Sequence, residues 1–378
     1  MTTRLHELFD TAGQSPWLDN LKRSYLSSGR LEELVDEGVR GLTSNPTIMA
    51  KAIEGSSDYD EAFSAALRAG ATVEEAYWDL VVDDVKGALS VLRPVFDSSG
   101  GSDGFVSIEV SPHLAHDTDA TKDAARALHT RIESPNVLVK IPATLEGLPA
   151  IEAMIAEGRS INVTLIFSLD RYDAVAEAYL AGLERFRAAG GDLSLVASVA
   201  SFFVSRVDTE TDRRLEAAAA GDPGSPLAEE ALALRGSAAI AQARLAYERF
   251  LGHFSGDRWA TLEAAGARRQ RPLWASTSTK NPAYPDLCYV DSLVASSTVN
   301  TMPEDTVEKF VDHGRVEPLG EADLRDAATA FGRLGDVGID LGDVAKVLEA
   351  EGVASFAASF DEVLGALEQK ASLLGVGR

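Results

Sequence analysis

The sequence predicts an α/β fold, a closed (β/α)8 TIM barrel with additional N- and C-terminal helices. Eight short runs of mainly apolar, β-branched residues recur along the 378 residues. Longer segments with helical periodicity separate them, the pattern of a parallel sheet covered by helices. Eight such alternations favour a closed barrel over an open doubly wound sheet.

The strand candidates are SPWLDNL (15–21), VRGLTS (39–44), FVSIEV (105–110), NVLVKIP (136–142), INVTLIF (161–167), LSLVASV (193–199), RPLWAST (271–277) and SLVASST (292–298). The first is the weakest, being short and holding Pro16. Helices are expected over 72–93, where Thr72 and Glu75 have capping-box spacing, and over 118–132, 145–157, 169–188, 202–219 and 227–252. GDPGSP (221–226) breaks the last two and reads as a loop between covering helices. The whole of 1–378 reads as one barrel domain, with 318–378 a helical extension packed on it.

A net charge of −24 and a pI near 4.6 exclude a general nucleic-acid or anionic-membrane binder, because both need a cationic surface. An anionic substrate would be repelled at long range, so cations must be gathered in a pocket to receive it. The single cysteine, Cys288, permits neither an intrachain disulfide nor a multi-thiolate metal site. The opening residues lack a charged and apolar leader, and no run of about 18 apolar residues occurs, so a cytoplasmic protein is expected.

In such a barrel the chemistry sits at the C-terminal ends of the strands. Lys140 is the sharpest signal: it lies between Val139 and Ile141, while the other eight of nine lysines fall in helical or loop contexts. A poorly solvated lysine gives up its proton more readily, and the neutral amine then attacks a ketone to form a Schiff base. The plain alternative is a lysine paired with an interior carboxylate. Glu109, on the preceding strand, fits either reading, because adjacent strands lie about 4.8 Å apart. Thr164 extends the row to a third strand, where it would hold a water against Glu109, although threonine is common in strands anyway. Asp19 is a further candidate acid/base, or simply a turn or cap residue before a helix starting near Asn20. Asn45 and Pro46 read as N-cap and first helical residue, with the Asn45 amide placed at the barrel mouth. Arg206 after the sixth strand and Lys280 after the seventh, with flanking Ser201 and Ser276, would form a phosphate site.

GLTSNPTI, SIEVSP, VLVKIPAT, INVTLIFS and SFFVSRVD, in this order, resemble transaldolase, especially its longer bacterial form, from about residue 10 to the C-terminus. VKIPAT with NVTLIFS is highly specific, whereas SNPT alone is weak. The resemblance implies a transferase of aldehyde or ketone residues. Lys140 would carry the Schiff base, Glu109 and Thr164 would move protons through a water, and Asp19 would be the acid/base at the C4 hydroxyl. Asn45 would position the dihydroxyacetone unit, and Ser201, Arg206, Ser276 and Lys280 would bind phosphate. WLDN around Asp19 and WASTSTKNP around Lys280 depart from the family pattern, the latter exchanging an arginine fork for a point cation. The implied reaction moves dihydroxyacetone from sedoheptulose 7-phosphate to glyceraldehyde 3-phosphate, giving erythrose 4-phosphate and fructose 6-phosphate, with neither metal nor organic cofactor. Sugar phosphates are the expected partners, with a monomer or homodimer as the assembly. Three readings compete: a Schiff-base fructose 6-phosphate aldolase, a metal-dependent lyase, for which the six scattered histidines give no ligand cluster, and a non-catalytic sugar-phosphate-binding barrel.

Overall fold

In the computed structural model, which describes residues 2–54 and 56–375, eight parallel strands close into a barrel in sequence order. They are β1 (Gln14–Asp19), β2 (Leu42–Thr43), β3 (Val106–Glu109), β4 (Val137–Pro142), β5 (Ile161–Ile166), β6 (Ser198–Phe203), β7 (Arg271–Ala275) and β8 (Thr298–Met302). Covering helices bury the outer face and side chains fill the interior, so β3 to β6 and β8 are buried at every position. That double burial is why β3, β4 and β5 read as mainly apolar runs without alternation. Pro16 is accommodated within β1, opposite Asn300 of β8.

Local signals account for most helix boundaries. Thr72 and Glu75 form the expected capping box, and the helix Val73–Ser98 runs five residues beyond its expected end, through Pro94, at the loss of one backbone hydrogen bond. Thr118–Ile132 and Leu169–Ala188 fall on their expected spans, each with a side-chain cap, from Asp117 and Ser168. The expected 227–252 helix is two, Pro226–Ala233 and Ala238–His253, broken where Gly236 takes a left-handed φ of 72° against the Tyr284 ring.

Two strands lie further along the chain than expected. Residues 193–195 form a 3-10 turn because the Asp192 carboxylate accepts from the Ser194 backbone N–H, and β6 begins only at Ser198. The apolar stretch Leu293 to Ala295 is buried loop: the Leu293 carbonyl accepts from Gln14 and Trp274, and Ser297, at φ 59°, turns the chain into β8. The strand that follows, TVNTM, presents Thr298, Asn300 and Thr301 as buried polar groups, which hid it from a search for apolar runs.

After β8 come the helices Glu304–His313, Glu321–Asp336 and Leu341–Leu373. The last packs back over the barrel: Gly352 lets it approach Leu165 and Phe167, and Phe360 meets Tyr77 edge-on at 5.4 Å. Gly41 is required for a similar reason, since a Cβ there would fall 2.4 Å from the Trp17 indole. Among the described residues no helix is long and apolar enough to cross a membrane.

Candidate active site

Parallel register sets the catalytic layer. Glu109 of β3 is directly opposite Lys140 of β4, which is opposite Asn162 of β5. Glu109 and Lys140 are each only 5% exposed. The ammonium Nζ lies 3.1 Å from Glu109 Oε2, a buried ion pair. It also donates to the Ser44 carbonyl at 3.1 Å. Apart from this ion pair, neither Glu109 oxygen has a hydrogen-bond partner among the described residues, and Thr164 Oγ1 has none. Unsatisfied buried oxygens beside a buried ammonium are costly for folding alone and characteristic of sites built for chemistry.

Burial pushes the Glu109 carboxyl above its ordinary range, against the pull of Lys140, and the Asp19 charge adds to the rise. Asp19 is likewise raised by burial, with Lys140, the Thr43 hydroxyl and Lys280 acting in the opposite sense. It is not a helix cap: the next helix begins at Arg23, and Asp19 Oδ1 accepts from Thr43 Oγ1 at 2.8 Å. Thr301 of β8 lies 2.6 Å from the same Thr43 oxygen, so strands on both sides hold the carboxylate.

Two strand ends carry backbone strain at this layer. Leu165, directly after Thr164, has φ 59° where the β5–β6 register shifts, and Ser276, directly after β7, has φ 57°. Left-handed non-glycine residues cost about 1 kcal/mol or more each, and bulges of this kind re-aim side chains near active sites.

A cavity of about 340 Å³ opens at this end of the barrel. Asp19, Lys140 and Thr164 line its depth, and Asn45, Ser201, Arg206, Ser276 and Lys280 line it too. Glu109 is the exception: it lines a second, smaller chamber, which shares Asn45 with the cavity. Asn45 Oδ1 caps the helix Pro46–Glu54 by accepting from Ile48 N–H, as its sequence context implies. Ser201 lies inside β6 and donates to Asn162, while Ser276 sits 3.0 Å from Ser205. Arg206 occupies the first turn of the helix Ser205–Gly221, near the rings of Phe203 and Phe356, with no carboxylate partner among the described residues. Burial lowers its pKa, and the more distant Glu351 partly offsets this. Lys280 is exposed and donates to Ser278.

Sequence reading missed several contributors. Lys51, a fourth cation of the cavity beside Lys140, Arg206 and Lys280, lies four residues after Thr47, which also lines it; that one-turn spacing was the available signal. Asn162 joins Ser107 to Ser201 across three strands. Ser355 and Phe356 come from the C-terminal helix, and no local pattern announces a contact made across the whole chain.

The Transaldolase/Fructose-6-phosphate aldolase family model matches residues 16–367. A transaldolase of Parafrankia sp. (strain EAN1pec) is 50% identical over 363 residues, 95% of this chain and 96% of its own. That of Thermobifida fusca (strain YX) is 50% identical over 372 residues, 98% and 99% of the two chains. That of Mycobacterium ulcerans (strain Agy99) is 50% identical over 366 residues, 96% of each. With a closed parallel barrel that gathers the motif residues at one mouth, these matches establish that the chain belongs to the transaldolase/fructose-6-phosphate aldolase family.

Proposed function

We propose that this protein is a transaldolase that transfers a dihydroxyacetone unit from sedoheptulose 7-phosphate to glyceraldehyde 3-phosphate through a Schiff base on Lys140. The observation that carries this reading is the buried Lys140 and Glu109 pair at 3.1 Å, set beside a cavity whose rim is cationic in a protein of net charge −24.

Glu109, its carboxyl raised by burial, takes a proton from the ammonium. The neutral amine then attacks the C2 ketone, and the carbinolamine loses water with Glu109 as acid and base. Thr164, wholly buried and with no hydrogen-bond partner for its hydroxyl among the described residues, holds the water that carries these protons. Asp19, steadied by Thr43, accepts the C4 hydroxyl proton; the C3–C4 bond breaks and the iminium takes up the electron pair. Asn45 holds the dihydroxyacetone hydroxyls. Arg206, Lys280, Ser201 and Ser276 bind the phosphate, Arg206 being the strongest because it is half-buried and ion-paired with no carboxylate among the described residues. The carbanion equivalent then attacks the aldehyde acceptor, and the steps reverse.

The aldolase alternative uses the same Schiff base and releases dihydroxyacetone to water. The relatives named transaldolase match over nearly their full length, which favours transfer. Product partition tests this: with fructose 6-phosphate alone, free dihydroxyacetone should stay near background, and turnover should appear only when erythrose 4-phosphate is added. Steady release without an acceptor would sink the transfer reading. We further read 1–378 as one domain with 318–378 as its extension, acting in the cytoplasm as a monomer or homodimer. Limited proteolysis and light scattering test the first and last of these.

A further inference from the structure

Arg206 and Lys280 reach the cavity from different strand ends, and the segment that carries Lys280, residues 276–287, contains neither helix nor strand. A loop presents a cation at a fixed point when a rigid element holds it. Here the holding element is the helix Ser205–Gly221, whose first turn carries Arg206. Tyr284, in the loop, donates to Asp212 Oδ2 of that helix at 2.6 Å. Tyr289, just beyond the loop, donates to Asp208 Oδ2 at 2.9 Å. Asp208 and Asp212 lie one turn apart on one face of the helix and are 1% and 8% exposed.

Capping accounts for half of each carboxylate. Asp208 Oδ1 accepts from Ala239 N–H at 2.8 Å, and Asp212 Oδ1 accepts from Gly236 N–H at 2.9 Å, around the start of the helix Ala238–His253. The second oxygen of each goes to a tyrosine. Gly236 also seats the Tyr284 ring, since a Cβ there would fall 2.8 Å from the ring's Cζ. Within the loop, the Thr279 hydroxyl lies 2.9 Å from the carbonyls of both Pro285 and Asp286, which couples the residue before Lys280 to those after Tyr284.

We propose that Tyr284 is a positioning residue for phosphate binding, its bond to Asp212 holding the Lys280 loop against the Arg206 helix so that both cations meet one phosphate. Tyr284 does not line the cavity, so it acts through the loop. Burial and the Asp212 carboxylate raise its phenol above the ordinary range, which keeps it protonated and a donor at working pH. The bond is charge-assisted, and its loss frees the loop without removing a ligand.

This inference rests on the reading of Arg206 and Lys280 as phosphate ligands. Inorganic phosphate tests that reading by itself: it should compete with fructose 6-phosphate in the wild type and bind more weakly to Arg206→Ala, and a failure there would remove the reading and the proposal with it. Tyr284→Phe keeps the ring on Gly236. It should raise both the KM for fructose 6-phosphate and the Ki of inorganic phosphate about two- to threefold, as Lys280→Ala does, with kcat unchanged. In a Lys280→Ala background the same substitution should change neither constant, because the cation it positions is gone. With phosphate competition intact in the wild type, unmoved KM and Ki in Tyr284→Phe would overturn the proposal. So would an equal rise in both backgrounds, or a fall in kcat with KM and Ki unmoved, since either marks a packing residue.

Discussion

The two ends of this barrel spend their buried charges differently. At the floor, Asp103, 1% exposed, is fully used: Oδ1 accepts from Trp17 Nε1 at 2.9 Å and meets Arg271 at 3.4 Å. Its Oδ2 accepts from Arg40 at 2.9 Å and from Ser15. At the mouth, and among the described residues, Glu109 and Thr164 have oxygens without hydrogen-bond donors beyond Lys140, and Arg206 is ion-paired with no carboxylate. A saturated network ties strand starts together; an unsaturated one keeps its donors, acceptors and charge for a ligand. The same residue types thus serve stability at one end and chemistry at the other.

The sharpest way to break this contrast is to remove one charge at each end. Lys140→Met should lower turnover by at least about a thousandfold while the protein stays folded, since Glu109, already raised by burial, can take up a proton once its partner is gone. Asp103→Ala should do the reverse. Stranding Arg40 and Arg271 should cost about 3 to 5 kcal/mol in urea unfolding, with turnover per folded molecule nearly unchanged. If Asp103→Ala left stability intact, the floor would not be structural.

Arg206→Ala sharpens the contrast next. Losing a charged donor to the substrate phosphate should raise KM for fructose 6-phosphate about 10- to 100-fold. Stability should hold, because among the described residues Arg206 is ion-paired with no buried acid. The pH profile follows. Burial raises both Asp19 and Glu109, so the acid limb of kcat/KM should lie above the ordinary carboxylate range and fall about tenfold per pH unit below it. The stability sign is opposite: a raised carboxyl binds protons more readily folded than unfolded, so its ionised form costs stability at neutral pH, and that cost fades as pH falls through the folded pKa. Asp19→Asn should therefore raise the unfolding midpoint at neutral pH while impairing cleavage. The smallest effect is expected of Lys280→Ala, an exposed point cation: a rise in KM of about two- to threefold.

Much of this was legible in the sequence because burial on both faces writes a strand as an apolar run, and a charge inside such a run stands out. Lys140 and Glu109 were found that way, and the register that makes them neighbours follows from adjacent strands. The same rule failed at β6 and β8, where the interior of the mouth is polar. Ser201, Asn300 and Thr301 interrupt those runs, while buried loop residues such as Leu293 and Val294 imitate them. Roles set by distant packing left no local trace: Phe356 reaches the cavity from the C-terminal helix, and Thr301 helps to hold Asp19 from the far end of the chain. The chamber that Glu109 lines belongs to this class too, since the helices Pro46–Glu54 and Val73–Ser98, the end of β3 and the C-terminal helix build it together.

The most direct test of the Schiff-base claim is borohydride reduction in the presence of fructose 6-phosphate, followed by peptide mass spectrometry. The account predicts a single adduct of dihydroxyacetone mass on Lys140, absent from Lys140→Met. No adduct on folded protein, or one on another lysine, would contradict it.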